Sequence, residues 1–313
     1  MKMEGIHHIT AIVGHPEQTA RFYGDVLGLR LVKTTVNFDD PTTYHLYFGD
    51  SEGSPGSIMT FFNWMNDYRG KRGNGQVGIT YFLIPQGSFA FWQERLQSKQ
   101  IQTKVVESFD ERQLHFEDEH GLQLALIERH IAVTNDWETA EIPSEYAIQK
   151  FGGALLYTGN IEATKRLLEQ QFGYVSRGTF GEKERFILEE NSEETIDLYS
   201  LDGERGSFGI GTVHHIAWRT KDAKEQLKWQ QQLQAHYNVT PVQDRDYFES
   251  IYFREGGGIV CEIATDEPGF FIDETDEALG STLQLPTQYE QNRAVIESHI
   301  VPFQRPSGKR SSH

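Results

Sequence analysis

The 313-residue sequence holds one cysteine, Cys261, and that scarcity excludes an intrachain disulfide, a Cys-rich zinc site and an iron–sulfur cluster. Positive charge is also short: 29 Lys and Arg stand against 46 Asp and Glu, a formal net charge of −17. So anionic a surface repels phosphate backbones and acidic headgroups, and neither nucleic acid nor a membrane is expected as a partner. No stretch approaches the ~20 consecutive apolar residues that span a bilayer, and the start, Met1-Lys2-Met3-Glu4-Gly5, carries no apolar leader. The expected setting is the cytoplasm. With 37% hydrophobic and 12% aromatic residues there is material for a core, and at ~150 residues per domain the length suggests two domains.

What is present is a repeat. Four segments share one order: an apolar strand, an amphipathic stretch, then strand-like runs broken by Gly, Asp or Asn turns, which reads as βαβββ. The first has strands over 6–13, 30–36, 43–48 and 57–62, with a helix opening at Pro16 and stopped by Gly28. The second runs through 76–84, a helix over 88–97, and strands over 103–107, 113–117 and 122–128. The third spans 152–157, a helix over 161–172, and strands over 174–180, 184–189 and 195–201. The fourth has 212–219, a helix over 223–233, and strands over 247–254 and 258–264, joined by a Gly256-Gly257-Gly258 hairpin turn. The acidic stretch 133–144 reads as a linker.

His-His doublets recur at matching places in the first and fourth modules, as His7-His8 and His214-His215. On a strand, side chains alternate between faces, so one imidazole of each doublet is expected to face a shared cavity while its neighbour either faces away or lies behind it, where it would fix the ring's tautomer and orientation. Glu262 projects between Val260 and Ala264, where a buried carboxylate is costly without a partner. Two neutral imidazoles and one carboxylate form the facial triad of non-haem Fe(II) oxygenases, which leaves coordination positions open. The expected ligands are therefore His8, His215 and Glu262. The last strand of module one, 56–62, holds no acid, and modules two and three carry Gly78-Ile79 and Gly153-Ala154 where the doublets would sit. One metal per chain follows, built from the first and last modules.

The openings Gly5-Ile6-His7-His8-Ile9-Thr10 and Val213-His214-His215-Ile216-Ala217, with Phe22-Tyr23-Gly24-Asp25-Val26-Leu27-Gly28-Leu29, resemble the vicinal oxygen chelate superfamily, which includes glyoxalase I, bleomycin-resistance proteins and extradiol dioxygenases. The resemblance covers nearly the whole chain. It implies an α+β fold of four βαβββ modules paired into two domains of curled mixed sheets, 1–132 and 145–270, followed by an extension, 271–313. A ligand set split between modules one and four, together with Asp244-Arg245-Asp246 and the run from Glu262 to Phe270, is similar to the hydroquinone-type ring-cleaving dioxygenases.

That subgroup implies Fe(II), with Mn(II) as the alternative, and a small aromatic substrate cleaved with O2. It also implies a substrate shell, matched here by His7, Thr10, His214, Arg245 and Tyr252. An imidazole is suited to move a proton near neutrality, which points to His7 or His214. Arg245 would stabilise anion on the oxygenated ring, or else pair with Asp244 or Asp246. Tyr252 would bond a substrate oxygen, or else pack on its strand. Two other functions remain open to the same fold: a glyoxalase-like isomerase or thiol transferase, and a metal-free aromatic-binding resistance protein.

Elsewhere the expectations are structural. His115 and His120 read as a solvated turn, Cys261 as a packed thiol opposite Glu262, and Gly308-Lys309-Arg310 as a disordered tail. The segment 286–301 reads as a helix with the stripe Tyr289, Ala294, Ile296 and Ile300. It is expected to cap the cavity or to form a contact in a homo-oligomer.

Overall fold

The computed structural model describes residues 1–65 and 68–311. Module one supplies β1 (Ile6–Val13), β2 (Arg30–Val36), β3 (Tyr44–Gly49) and β4 (Ile58–Asn63), with helix α1 (Pro16–Ala20) continuing as a π-helical turn to Val26. Module two gives β5 (Gln76–Pro85), α2 (Phe89–Ser98), β6 (Lys104–Ser108), β7 (Glu111–Glu117) and β8 (Gln123–Arg129). The connecting stretch contains β9 (Trp137–Glu138). Module three is β10 (Lys150–Tyr157), α3 (Ile161–Arg166) with a π turn to Phe172, β11 (Val175–Phe180), β12 (Lys183–Leu188) and β13 (Asn191–Tyr199). Module four is β14 (Thr212–Thr220), α4 (Ala223–Gln234), β15 (Gln243–Asp244), β16 (Phe248–Arg254) and β17 (Val260–Pro268). Beyond it lie α5 (Arg293–His299) and β18 (Lys309–Arg310).

Local chemistry sets these boundaries. Pro16 occupies the first turn of α1, and the His15 side chain caps it by accepting from Glu17 N. Asn160 and Asp222 cap α3 and α4 in the usual way, accepting from Ala163 N and Glu225 N. Gly173, with φ of +83°, ends the third module's helix in the left-handed conformation that side chains resist.

The strands form two eight-stranded sheets, ordered β15-β16-β17-β14-β1-β4-β3-β2 and β11-β12-β13-β10-β5-β8-β7-β6. Each is mixed: β1 runs parallel to β4 and antiparallel to β14, and β10 runs parallel to β13 and antiparallel to β5. Module one therefore joins module four, and module two joins module three, so the sheets cross the two sequence halves. One face of each sheet enters a large common core with the helices, carrying Ile9, Ala11 and Val13 from β1, Trp92 from α2 and Trp229 from α4. The opposite faces carry smaller clusters, one around Tyr47, Phe248 and Phe270 and the other around Ile79, Tyr81 and Leu155.

The described part of the C-terminal extension, 271–311, packs along β2 at the end of the first sheet. Lys33 of β2, fully buried, ion-pairs with Asp273 and Glu274 at 2.5 Å each, while Thr34 O accepts from Gln284 N. The expected disordered tail instead forms β18, which pairs with β9 of the linker. Arg310 ion-pairs there with Asp136 and Asp276, and two carboxylates on a guanidinium fork explain why the tail is held. The expected helix over 286–301 starts as a 3₁₀ stretch at Thr287–Asn292 and becomes α-helical only from Arg293. His120 is not in a solvated turn: it is buried, and Gly14 N donates to its Nδ1.

Candidate metal centre

Residues His8, His215 and Glu262 meet in the middle of the first sheet although 207 residues separate the two histidines. Glu262 Oε2 lies 2.9 Å from His215 Nε2 and 3.2 Å from His8 Nε2, and the two Nε2 atoms are 3.4 Å apart. All three side chains are buried. The first and fourth modules supply them because β1 and β14 are the central antiparallel pair, and β17 runs parallel to β14 with Glu262 beside Ala217.

A pair of β-bulges explains why adjacent histidines approach each other rather than pointing apart. The β1–β14 ladder passes from Ile6↔Trp218 to His8↔Ala217, leaving His7 as the extra residue, and from Thr10↔His215 to Ala11↔Val213, leaving His214 as the extra residue. As a result His7 Nδ1 lies 2.9 Å from His8 Nδ1, and His214 Nδ1 lies 2.7 Å from His215 Nδ1. Each leading histidine fixes the ring that follows it and leaves Nε2 free to converge on Glu262. Burial, and then the neighbouring ligand imidazole, push His7 well below its ordinary pKa and His214 down to about 3, so both are held neutral.

The residues present fit a divalent metal ion. Glu262 Oε2 is buried without a hydrogen-bond donor, while Oε1 accepts from Ser250 Oγ. Burial alone would raise the Glu262 carboxyl, but the flanking His8 and His215 hold it well below the usual carboxylate range. Two imidazole nitrogens and an orphaned carboxylate oxygen pointed at one spot constitute a facial N₂O set.

Across the β1–β14 axis, the position related to Glu262 is Thr60 on β4, next to Thr10. Thr60 Oγ1 bonds to Thr10 Oγ1 and to His45 Nε2, both at 2.8 Å. Among the described residues the cluster thus offers three candidate ligands, with a hydroxyl at the fourth related position.

Beyond the ligands lies a small cavity of about 40 Å³, walled by His8, His215, His45, Tyr47, Phe62, Phe248, Arg245 and Tyr252 and closed by Asn37, Phe38 and Asp39. A larger cleft, of about 950 Å³, lies on the second module and the first helix, and none of its lining residues belongs to the ligand cluster. It is lined by mixed charges around Phe22 and Phe116, and its size alone does not make it the reactive site.

Of the residues expected around a substrate, Arg245 and Tyr252 wall the cavity, with the guanidinium 5.6 Å from the Tyr252 ring centre. Arg245 does not pair with Asp244 or Asp246; it bonds Gln243 and reaches Asp39 at 3.8 Å. His7, His214 and Thr10 do not line the cavity: the bulges set the first two against His8 and His215, and Thr10 Oγ1 bonds to Thr60 Oγ1. Cys261 packs in the common core on the far face from Glu262, and burial raises its thiol pKa.

Sequence reading missed His45, Tyr47, Phe62 and Phe248. The signal that could have found His45 and Tyr47 is the alternation Tyr44-His45-Leu46-Tyr47, which puts both on the face opposite Leu46. The tight closure of the cavity also depends on the extension: Tyr289 Oη donates to Phe38 O at 2.7 Å and Gln288 Nε2 donates to the same oxygen at 3.2 Å.

Comparison with known proteins is consistent along the chain. A model of the glyoxalase/bleomycin resistance protein/dioxygenase superfamily matches residues 5–126. Over 304 residues the chain is 49% identical to a Bacillus subtilis (strain 168) protein provisionally named ring-cleaving dioxygenase MhqO, covering 97% of each. It is 31% identical over 300 residues to the chlorohydroquinone/hydroquinone 1,2-dioxygenase of Sphingobium indicum, covering 92% of this chain and 93% of that protein. A crystal structure from Bacillus subtilis subsp. subtilis str. 168, provisionally named a dioxygenase, has a TM-score of 0.95 at 49% identity, covering 97% of this chain and 98% of that one.

Proposed function

The chain belongs to the glyoxalase/bleomycin resistance protein/dioxygenase superfamily, and from that premise we propose that it is a ring-cleaving dioxygenase. It opens a hydroquinone or related substituted phenol with O2 at a single Fe(II) held by His8, His215 and Glu262. The observation that carries this reading is the convergence of three buried ligand atoms with a non-ligating Thr60 at the related fourth position. Three protein ligands leave room on the ion for both a phenol oxygen and dioxygen. A glyoxalase-type arrangement calls for a second carboxylate there, and Thr60 cannot supply one.

When bound, the iron supplies a Lewis acid that lowers the pKa of a coordinated phenol and an electron-transfer partner for dioxygen. The protein's own residues prepare the rest. His7 and His214 fix the tautomers of the ligand rings through the Nδ1 contacts, so each Nε2 lone pair stays directed at the centre. Arg245 presents a cation where negative charge builds on the oxygenated ring, in a wall dry enough for that charge to matter. Tyr252, whose hydroxyl is kept protonated by burial, is a hydrogen-bond donor toward a reacting oxygen. Phe62 and Phe248 exclude water from the ring faces. A cavity of about 40 Å³ holds a few waters at ~10–15 Å³ each and no six-membered ring. Asn37, Phe38 and Asp39 must therefore move aside on substrate entry.

Protein prepared without oxygen and loaded with Fe(II) is expected to consume O2 with methylhydroquinone. His215→Ala should reduce that rate at least ~1,000-fold and lower the bound iron in parallel, with the fold retained by circular dichroism. Absence of uptake with every hydroquinone and catechol tested, at full iron loading, would overturn the reading.

A further inference from the structure

The metal side of the cavity is accounted for by the ligands; the opposite wall is not. There four buried side chains form a continuous hydrogen-bonded row: Thr10 Oγ1 to Thr60 Oγ1 at 2.8 Å, Thr60 Oγ1 to His45 Nε2 at 2.8 Å, and His45 Nδ1 to Tyr47 Oη at 2.9 Å. His45 and Tyr47 wall the cavity, and all four residues are at most 8% exposed. Buried polar groups are tolerated when bonded, but a row of four that ends at a cavity wall exceeds what packing requires.

The register of the sheet makes the row an asymmetric counterpart of the metal side. β3 pairs with β4 so that Tyr47 lies opposite Thr60, just as β16 pairs with β17 so that Tyr252 lies opposite Glu262. On the metal side the second residue of the pattern, Ser250, serves the carboxylate. On the other side its counterpart, His45, bonds to Thr60 and ties it to Tyr47.

We infer that Tyr47, backed by His45, is the specificity element of this site: it receives a second ring oxygen lying across the ring from the one bound to the metal. The inference rests on the proposed ring-cleaving activity and names the group that selects its substrate.

Neutral imidazole carries one N–H and one acceptor, and a hydroxyl both donates and accepts. With the proton on His45 Nε2, the Tyr47 hydroxyl donates to Nδ1 and its oxygen accepts from a hydroxyl in the cavity. With the proton on Nδ1, Tyr47 accepts from His45 and donates into the cavity. The same heavy atoms therefore suit either a hydroxyl or a hydrogen-free oxygen at that place on the ring. Thr10 bonds only to Thr60 within the row, so the row is an element of recognition and no proton leaves through it. A phenol that lacks the second oxygen leaves the cavity-facing hydrogen-bonding capacity of the Tyr47 hydroxyl unfilled once water is displaced, although its bond to His45 remains, and this costs binding. A catechol, whose two oxygens are adjacent, does not reach it once bound to the metal.

The test is equilibrium binding, measured by calorimetry without oxygen on full-length protein loaded with Zn(II), which prevents turnover. Hydroquinone should bind the wild type about tenfold more tightly than phenol, equivalent to ~1.4 kcal/mol. In Tyr47→Phe the two affinities should come within about twofold of each other, with phenol binding unchanged. Thr60→Val, which cuts the row behind His45 without altering the cavity wall, should lose part of the preference. A preference for hydroquinone kept intact in Tyr47→Phe, with unchanged melting behaviour, overturns the inference while the Fe(II)-loaded wild type still consumes O2 with hydroquinone. Failure of both rings to bind the wild type overturns the activity and the inference together.

Discussion

The two eight-stranded sheets carry bulges at corresponding places in their central strand pairs, yet one surrounds a cavity and the other is filled. In the first sheet the extra residues are His7 and His214. In the second the ladder skips Gly152 and Gly78. A Cβ at Gly78 would fall 2.3 Å from the Tyr157 ring, so the ring occupies the space that a second imidazole would need. Ile79 and Ala125 stand at the positions of His215 and Glu262 in the register.

Asp197, at the position of Thr60, is bonded by Arg185 at 2.7 and 2.9 Å and by Tyr81 Oη at 3.2 Å. The lesson is that a bulged, curled sheet creates a hollow by its backbone alone, and side-chain choice decides whether the hollow collects an ion or is plugged by an internal salt bridge and apolar rings.

The contrast can be broken most strongly in the second sheet. Asp197→Ala strands Arg185 in a buried place with only Glu111, 2.6 Å away, to balance it. The expected loss is about 3 kcal/mol of stability in urea unfolding, with iron content of the folded protein unchanged. A variant that instead lost metal while staying equally stable would show that the two hollows are not independent.

The seam between the sheets gives a comparable effect that depends on pH. Glu194 of β13 accepts from Ile6 N at 3.1 and 3.0 Å, just ahead of the first doublet. Burial raises its pKa from 4.5 to about 7. Between those values the folded chain binds the proton and the unfolded chain does not, so stability falls as pH rises from about 4.5 to 7, by roughly 3 kcal/mol in all. Glu194→Gln should flatten that decline in melting curves taken across the window. Asp118, raised to about 6 by burial, supplies a residual slope of the same sign. A slope unaltered in the Gln variant would remove Glu194 as its source.

The subtlest change makes the metal side symmetric. Thr60→Glu places a carboxylate at the mirror of Glu262, and a fourth protein ligand should keep the metal while reducing O2 uptake about tenfold. Undiminished uptake at full metal loading would mean that this position does not reach the ion.

Much of this was legible in the chain itself. Residue type and module position were sufficient to single out His8, His215 and Glu262, three side chains that the fold brings together, because a doublet repeated at equivalent places and a carboxylate among apolar neighbours are both local patterns. For His7 and His214 two placements stayed open, facing away or lying behind the neighbouring ring, because strict alternation favours the first and only the bulges bring the Nδ1 atoms together. His45 and Tyr47 gain meaning from Thr60 across the ladder, a contact that one strand does not announce. Lys309 and Arg310 were misread for the same reason: charge and a terminal position suggest solvent, whereas their carboxylate partners come from distant segments.

The split of the ligands between the first and last modules also sets an order of events at the ribosome. His8 emerges early, but Glu262 emerges only when module four is nearly finished, and β1 cannot take its central place until β14 lies beside it. A nascent or prematurely ended chain therefore presents no assembled two-histidine, one-glutamate cluster. The three converging side chains come together only after the walls that surround them have been made.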